Sequence, residues 1–517
     1  MTSRPGALRW WIVAAALVVP RAIAWPLPLV DMHSVRETQT AMITRNLLVD
    51  NFAMGQTRID WNGNGPSVVV QELPIYQAMV AAVWWFAGAS DAAGRVLSTA
   101  AAAAAAFGLW LLLSRLCGPS AAFWGVLWFA LCPISIWAGT AFLPNMLAMA
   151  FVLLGLAAVV ESRTRRTIVT GLGGGALITI AWLMNEPLVA AFGGPLVWAF
   201  WPRRDQPRRD LWVKALVIGC GLVATVLWGR HVVRTNAASY SEWNLPTLLA
   251  HFFAPETSRL SPWLWFRSAA YLLFFVVGPA GVLWIIGGIR SLARPSRPSD
   301  DVMRLAVCWG ASVVAYYLVF LRALSEHNYY TLPVVPFLSL LFAVFAKEIV
   351  ERWREYGRWS RALVTAAAIA SLAWWPLPIV HSMTVDTTAY EAGRLVERSC
   401  PAGEMILVAP LHTNVASEVY PTVLYYAGRR GWNVGTGRWS PESLMTQIGD
   451  GAGRGARCLV VSFGRAFEPS VLQKIPGFHL FGHDVDQQQV PALLTALGTR
   501  YEVLGAEPNV RVFSLRP

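Results

Sequence analysis

Apolar runs long enough to cross a bilayer recur along the chain as far as residue 381. They fall near 9–30, 95–114, 120–140, 143–161, 167–184, 186–201, 211–229, 264–289, 304–323, 331–346 and 362–381. A helix needs about 20 apolar residues to cross the hydrocarbon core, and only structures that satisfy their own backbone polar groups survive there. The 517 residues are 55% hydrophobic and 14% charged, whereas soluble domains carry about 25% charged residues. The expected fold is a polytopic α-helical membrane protein with about eleven transmembrane helices.

The net charge of +12 could suit nucleic acid, but the basic residues sit in short loops between apolar runs. With the N-terminus in the cytoplasm, the inner loops hold Arg115; Arg163, Arg165 and Arg166; Arg203, Arg204, Arg208, Arg209 and Lys214; Arg290, Arg294, Arg297 and Arg304; and Lys347, Arg352, Arg354, Arg358 and Arg361. That is the positive-inside pattern, and the 26 Trp suit aromatic belts at the two interfaces. Nucleic acid is not an expected partner. The topology requires "QELPIYQAMVAAVWWFAG" (71–88) not to cross, so it is expected to be an interfacial helix of the first outer loop.

Several local patterns need a place. The N-terminus has the parts of a signal peptide with cleavage after Ala24, but Arg21 beside that site and the apolar "WPLPLV" favour a retained first helix. The alanine run from Ala100 to Ala106 reads as a smooth, close-packing helix face. "GLGGGA" (171–176) mimics a dinucleotide fingerprint, but no strand precedes it, and helix packing explains it better. Cys117, Cys132, Cys220 and Cys308 lie in or beside apolar runs as small packing residues. Cys400 and Cys458 could pair outside the cytoplasm or stay as two free thiols.

Beyond the last run the composition changes. "AYEAGRLVERSC" reads as helix and "MILVAP" as strand; "PTVLYYAGRRGW" is helix-like; "ESLMTQIGDGAG" and "RCLVVSF" form a helix–strand pair. "VPALLTALGTR" then leads into "YEVLGAE" and "VRVFSLR". The expected layout is a transmembrane domain over 1–384 and a small α/β domain over 385–517. The second carries no motif for chemistry.

The polar residues gather on the outer side. Asp31, His33, Arg36, Glu37 and Gln39 lie in the first outer loop, and Glu72 begins the interfacial helix. Leu143-Pro144-Asn145 caps the fourth span, and Arg322, Glu326, His327, Tyr329 and Tyr330 fill the turn "RALSEHNYYTLP". Ionisable residues at membrane depth mark function by default, whereas each alone could be a wet loop end. Asp31 could equally cap a helix or pair with Arg36. Glu72 before Pro74 could cap the interfacial helix. Tyr329 and Tyr330 could belong to the aromatic belt. As a set, a carboxylate can act as general base on a hydroxyl or amine, and Arg with His can hold a phosphate and stabilise it as it departs. That is equipment for displacement at a sugar carbon, with the activated sugar arriving on a lipid phosphate. His33 and Glu37, four apart, could face a metal, but two ligands do not make a site. No cofactor is assigned, and a divalent metal stays open.

Five segments carry a resemblance: "DMHSVRETQTAMITRNLL", "RIDWNGNGPSVVVQELPIYQ", "FLPNMLAMAF", "HNYYTLPVVPFLSLL" and "LYYAGRRGW". Together they resemble the GT-C superfamily of polyprenyl-phosphate-sugar-dependent glycosyltransferases, on the branch of bacterial protein O-mannosyltransferase and lipid A aminoarabinose transferase relatives. The resemblance implies an inverting transfer from a polyprenyl-phosphate-linked sugar to a glycan, lipid or protein acceptor at the bacterial plasma membrane. The N-terminus would be cytoplasmic and the C-terminal domain extracytoplasmic. Asp31 matches the proposed base, and Glu72 and Pro74 match a segment lining the same cavity. Arg322, His327 and Tyr330 fall where relatives contact the lipid phosphate, and His33, Arg36, Gln39 and Asn145 are candidate substrate contacts. Two departures stand out: Asn145 replaces the Asp of an "LPD" pattern, and Asn185-Glu186-Pro187 lacks the Lys that many relatives carry before that proline. The rival readings are a secondary transporter or lipid flippase, which would place charges at mid-membrane, and a non-catalytic membrane scaffold.

Overall fold

The computed structural model describes residues 5–165, 168–201, 208–239, 260–294, 300–376, 379, 387–412, 420–435, 439–464 and 488–516. Arg166, Arg203, Arg204 and Arg297 of the basic loops lie outside these described residues, as does the end of the last expected span.

Every expected span contains helix, but not always as one piece. Among the described residues five helices are long and apolar enough to cross a membrane on their own, or six if a bent pair counts as one. The reasons for the breaks are local. The run 120–140 divides into Pro119–Leu131 and Pro133–Ala138 because Pro133 has no N–H to continue the ladder. The run 186–201 divides into Glu186–Ala190 and Gly193–Phe200. The run 264–289 turns through 82° between Pro262–Val277 and Gly281–Ala293, with Gly278 at φ +66° supplying the corner. A count of eleven uninterrupted crossings is therefore not what the chain builds.

The helix bundle owes its closeness to small residues. On helix Asp91–Cys117, capped by Ser90, Ala101, Ala102, Ala105 and Ala106 are buried within the main core. Helix Asn145–Arg165 can then approach until a Cβ on Gly108 would sit 2.8 Å from the Leu154 nitrogen. Helix Ile168–Met184 carries the glycine-rich stretch, where a Cβ on Gly174 would lie 2.7 Å from the Gly155 carbonyl oxygen. The fingerprint-like "GLGGGA" is thus a helix crossing. At the bundle edge, helix Arg208–Ser239 has only 6% of its apolar window buried. That surface suits lipid.

Arg21 is fully buried near the end of helix Pro5–Ala22. It donates to the carbonyls of Leu17 at 2.9 Å, Ala130 at 3.1 Å and Ser135 at 2.9 Å. Its guanidinium thus binds carbonyls on both sides of the Pro133 break, which ties the first helix to the broken third run. The outer-loop helix Ile75–Ala87 has 13 residues, about 20 Å at 1.5 Å per residue, too short to span. One side buries Tyr76, Gln77, Val80, Ala81 and Trp84, while Met79, Val83, Trp85 and Phe86 are exposed. An amphipathic helix with an apolar outer face suits a membrane interface.

The C-terminal residues form a mixed five-stranded sheet of order β2-β1-β3-β5-β4. The strands are β1 (Ile406–Pro410), β2 (Gly431–Asn433), β3 (Cys458–Ser462), β4 (Val503–Glu507) and β5 (Val510–Ser514). β1 runs parallel to β2 and β3, and β5 pairs antiparallel with β3 and β4. "PTVLYYAGRRGW" differs from its expected all-helical form. It holds a short helix, Pro421–Ala427, ended by Gly428 at φ +60°, and then β2. A disulfide joins Cys400 to Cys458, an arrangement of oxidising compartments.

The sheet is not a separate lobe. Gly63 N–H donates to Gly431 O at 2.7 Å and Gly431 N–H to Asp60 O at 3.0 Å, so the first outer loop pairs with β2. One hydrophobic cluster contains Met42, Ile43, Leu47, Trp61 and Val69 together with Val423, Leu424, Ile406 and Val460.

Candidate functional site

The chain leaves helix Pro5–Ala22 through Trp25-Pro26-Leu27-Pro28 and re-enters helix at Ser34–Val49. Two prolines remove backbone donors and keep the intervening segment out of helix. Arg95, 2% exposed and one turn into helix Asp91–Cys117, holds that segment in place. Its Nε donates to Leu27 O at 3.1 Å, Nη2 to Pro28 O at 2.8 Å and Nη1 to Thr140 O at 3.0 Å.

The same guanidinium lies 3.9 Å from Asp31 Oδ2 and 3.9 Å from Glu37 Oε2. Asp31, 2% exposed, also accepts the His33 N–H on Oδ1 at 2.9 Å, a local turn that opens helix Ser34–Val49. Glu37 is fully buried and accepts the Phe142 N–H on Oε1 at 2.5 Å, fixing the "FLPN" turn before helix Asn145–Arg165. Burial, then the neighbouring Asp31 charge, push the Glu37 carboxyl well above the usual carboxylate range. Asp31 does serve the helix start, but its ionic partner is Arg95 and not Arg36.

Arg36 belongs to a second network. Its Nη2 meets Glu72 Oε2 at 2.6 Å and its Nη1 donates to Gln39 Oε1 and Gln71 Oε1, each at 2.9 Å. Gln77 Nε2 donates to Glu72 Oε1 at 3.1 Å. Glu72 is thus bound by Arg36 and Gln77, besides preceding the interfacial helix. The two side chains are only 26% and 13% exposed, and the paired hydrogen bonds give Arg36 a preformed orientation.

A third group is aromatic. The His33 ring lies 5.2 Å from Trp137, 4.8 Å from Tyr329 and 5.7 Å from His327. His327 stacks on Tyr329 at 5.2 Å, and Tyr330 lies 6.1 Å from His327. His33 Nε2 is 2.7 Å from Asn328 Oδ1. Burial pushes the His33 imidazole below its usual range despite Asn328 and Asp31 favouring the charged form, so near neutrality it is a neutral ring donating to Asn328. Arg322 Nε bonds Glu326 Oε1 at 2.9 Å, with the two side chains 41% and 34% exposed. Their helix, Leu321–Glu326, leads directly into His327.

The sequence candidates therefore meet as follows. Asp31, His33, Arg36 and Gln39 are joined by the first turns of helix Ser34–Val49; Glu72 reaches Arg36; His327 and Tyr330 reach the His33 ring cluster. Asn145 is buried at the head of its helix, three residues after the Phe142 nitrogen that binds Glu37. Arg322 bonds Glu326, the residue before His327. His33 and Glu37, weighed together as metal ligands, have different partners: Asn328 and aromatic rings for one, Asp31, Arg95 and Phe142 for the other. Among the described residues no three of His, Cys, Asp and Glu come together as a metal site needs. Sequence reasoning missed Arg95, Gln71 and Asn328 as parts of the site. Arg95 alone left a signal, a cation at the outer end of a span.

No family profile matches the chain, and no curated protein is detectably similar to it in sequence. Solved structures are similar in fold. ArnT from Cupriavidus metallidurans, solved bound to undecaprenyl phosphate, superposes with a TM-score of 0.63 at 14% identity over 99% of both chains. The apo form of that protein gives 0.59 at 15% identity over 99% of both chains. An oligosaccharyltransferase from Archaeoglobus fulgidus, solved with Zn and sulfate, gives 0.56 at 12% identity, covering 88% of this chain and 68% of that one. At these identities the likeness concerns the fold alone. It spans nearly the whole chain, the C-terminal sheet included.

Proposed function

We propose that this protein is an integral-membrane glycosyltransferase that moves a sugar from a polyprenyl-phosphate donor to an extracytoplasmic acceptor with inversion, with Asp31 as the general base. The observation that carries the reading is the end-to-end likeness to a protein solved with undecaprenyl phosphate, combined with a buried acid at the outer end of the first helix.

In the proposed step the acceptor oxygen or nitrogen attacks the anomeric carbon and gives its proton to Asp31. The bond from that carbon to the phosphate oxygen breaks, and the polyprenyl phosphate leaves with the electron pair. Attack opposite the leaving group inverts the centre. Arg322, His327 and Tyr330 are assigned to the lipid phosphate, where a cation and N–H or O–H donors stabilise the leaving charge. His33, Arg36, Gln39, Glu72 and Asn145 are assigned to the sugar and acceptor, Arg36 being held ready by Glu72, Gln39 and Gln71. No metal enters this sequence. Residues 1–384 are the membrane domain and residues 385–517 an extracytoplasmic α/β domain; the Cys400–Cys458 disulfide supports that side.

The test is transfer from polyprenyl-phosphate sugars in proteoliposomes. The wild-type chain is expected to release free polyprenyl phosphate, and Asp31→Asn, with unchanged gel filtration and melting, to lose at least about 100-fold in rate, the contribution of a general base. Undiminished transfer by Asp31→Asn would remove the base. Movement of the intact donor across the membrane without cleavage would favour a flippase.

A further inference from the structure

Two oxygens in the site have no donor. Asp31 Oδ2 and Glu37 Oε2 are buried, and no N–H or O–H of a neighbouring residue bonds them. Their sister oxygens are served, Asp31 Oδ1 by the His33 nitrogen and Glu37 Oε1 by the Phe142 nitrogen. Both orphaned oxygens converge on one guanidinium, Asp31 Oδ2 at 3.9 Å from Arg95 Nη1 and Glu37 Oε2 at 3.9 Å from Nη2.

Charge counting then decides the state. Two ionised carboxylates against Arg95 would leave a net negative charge where Asp31, Glu37 and Arg95 are 2% exposed or less, and burial makes an unpaired charge costly. One proton between the carboxyls leaves one anion, one cation and no orphaned oxygen. A third carboxyl, Asp91, also faces Arg95 and adds negative charge, which strengthens the need for a proton on the pair. The Tyr76 hydroxyl donates to Gly94 O at 2.9 Å and lies 3.0 Å from Ser98. Asp91, one turn before Arg95, receives the hydroxyls of Tyr425 and Tyr426 at 2.7 and 2.8 Å.

We propose that Asp31 and Glu37 share a single proton, with Glu37 the acid that donates to the Asp31 carboxylate and Arg95 the cation that balances the pair. This rests on the reading of Asp31 as base and deepens it, making Glu37 a positioning residue. The hydrogen bond orients the Asp31 carboxylate. During transfer the acceptor proton goes to Asp31 while the Glu37 proton stays in place, and the pair then carries two protons until one returns to water. Above the Glu37 pKa a second negative charge appears beside Asp31 and opposes an anionic donor, so the rate falls.

The experiment is a pH series on the full-length protein in detergent, read as kcat and as melting temperature. The folded pKa of Glu37 lies above its unfolded value of about 4.3. Its contribution to stability is therefore complete below that value and is lost as pH rises through the folded pKa. Wild-type protein is expected to lose both rate and stability on the alkaline side. Glu37→Gln keeps a donor for Asp31 and an acceptor for the Phe142 nitrogen but cannot ionise, so both alkaline losses should disappear; their persistence would overturn the shared proton. Asp31→Asn gives an independent arm. With Arg95 left to one carboxyl, Glu37 ionises readily and the alkaline loss of stability should vanish there too, whereas an unchanged loss again refutes the proposal. Should Asp31→Asn retain transfer, the base assignment fails, yet the melting series still decides where the proton lies.

Discussion

Arg95 carries more of the site than any residue recognisable from the sequence. It binds the carbonyls of Leu27, Pro28 and Thr140 and stands against two buried carboxyls. Arg95→Ala is expected to cost about 3–5 kcal/mol, the usual penalty for stripping one partner from a buried ion pair, read as a lower melting temperature and poor yield. Arg95→Lys keeps the charge but loses the planar fork; it should fold better than the alanine variant and still transfer slowly, because one ammonium cannot hold Leu27, Pro28 and Thr140 together. Equal melting temperatures for wild type and Arg95→Ala would contradict this role. His33 titrates the other way. Its folded pKa is depressed by burial, so its contribution to stability is present above the unfolded value of about 6.5 and is lost as pH falls through the folded pKa. His33→Gln should flatten the acid limb of a melting-temperature series, and a limb of unchanged slope would show that the imidazole is not the group being protonated. Asp31, His33 and Arg36 were visible because they crowd one stretch of sequence. Their partners Arg95, Asn328 and Gln71 were not, since each belongs to a segment that only folding brings near.

Elements were legible to the extent that their causes are local. Helix Thr387–Ser399, strand β1, helix Pro441–Gly453 and strand β3 follow from apolar period and from caps such as the Ser440 box. Glycine-rich 171–176 likewise declared itself through the absence of a preceding strand. Spans were harder, because hydropathy averages over the Pro133 and Gly278 breaks that divide them. "LYYAGRRGW" shows the limit best: the pattern stood out, but its purpose is tertiary. Tyr425 and Tyr426 hold Asp91, and Trp432 covers Gly63 so tightly that a Cβ there would lie 2.0 Å from the indole. Gly63 also sits at φ +50°. Gly63→Val is therefore expected to detach the first outer loop from β2, seen as protease cleavage within the full-length chain at concentrations that leave wild type intact. Wild-type resistance in that variant would show the contact to be dispensable.

At the scale of the whole molecule the membrane class was legible in composition, and the likeness to the ArnT fold in motif order, because both are distributed over hundreds of residues. Sidedness rests on loop charge and is open to direct measurement. Reporter fusions after residue 206 and residue 390 are expected to report cytoplasm and exterior respectively, and the reverse pair would place the Asp31 segment on the wrong face for a lipid-phosphate donor. The C-terminal part reaches the site through two tyrosines of helix Pro421–Ala427. Besides binding Asp91, the Tyr426 hydroxyl receives the Leu29 nitrogen at 2.5 Å, two residues before Asp31. Cutting the chain ahead of residue 387 would thus not leave an intact membrane half. It would strand the Asp91 carboxylate without either phenol and release the segment that leads into Asp31, so neither half keeps its shape without the other.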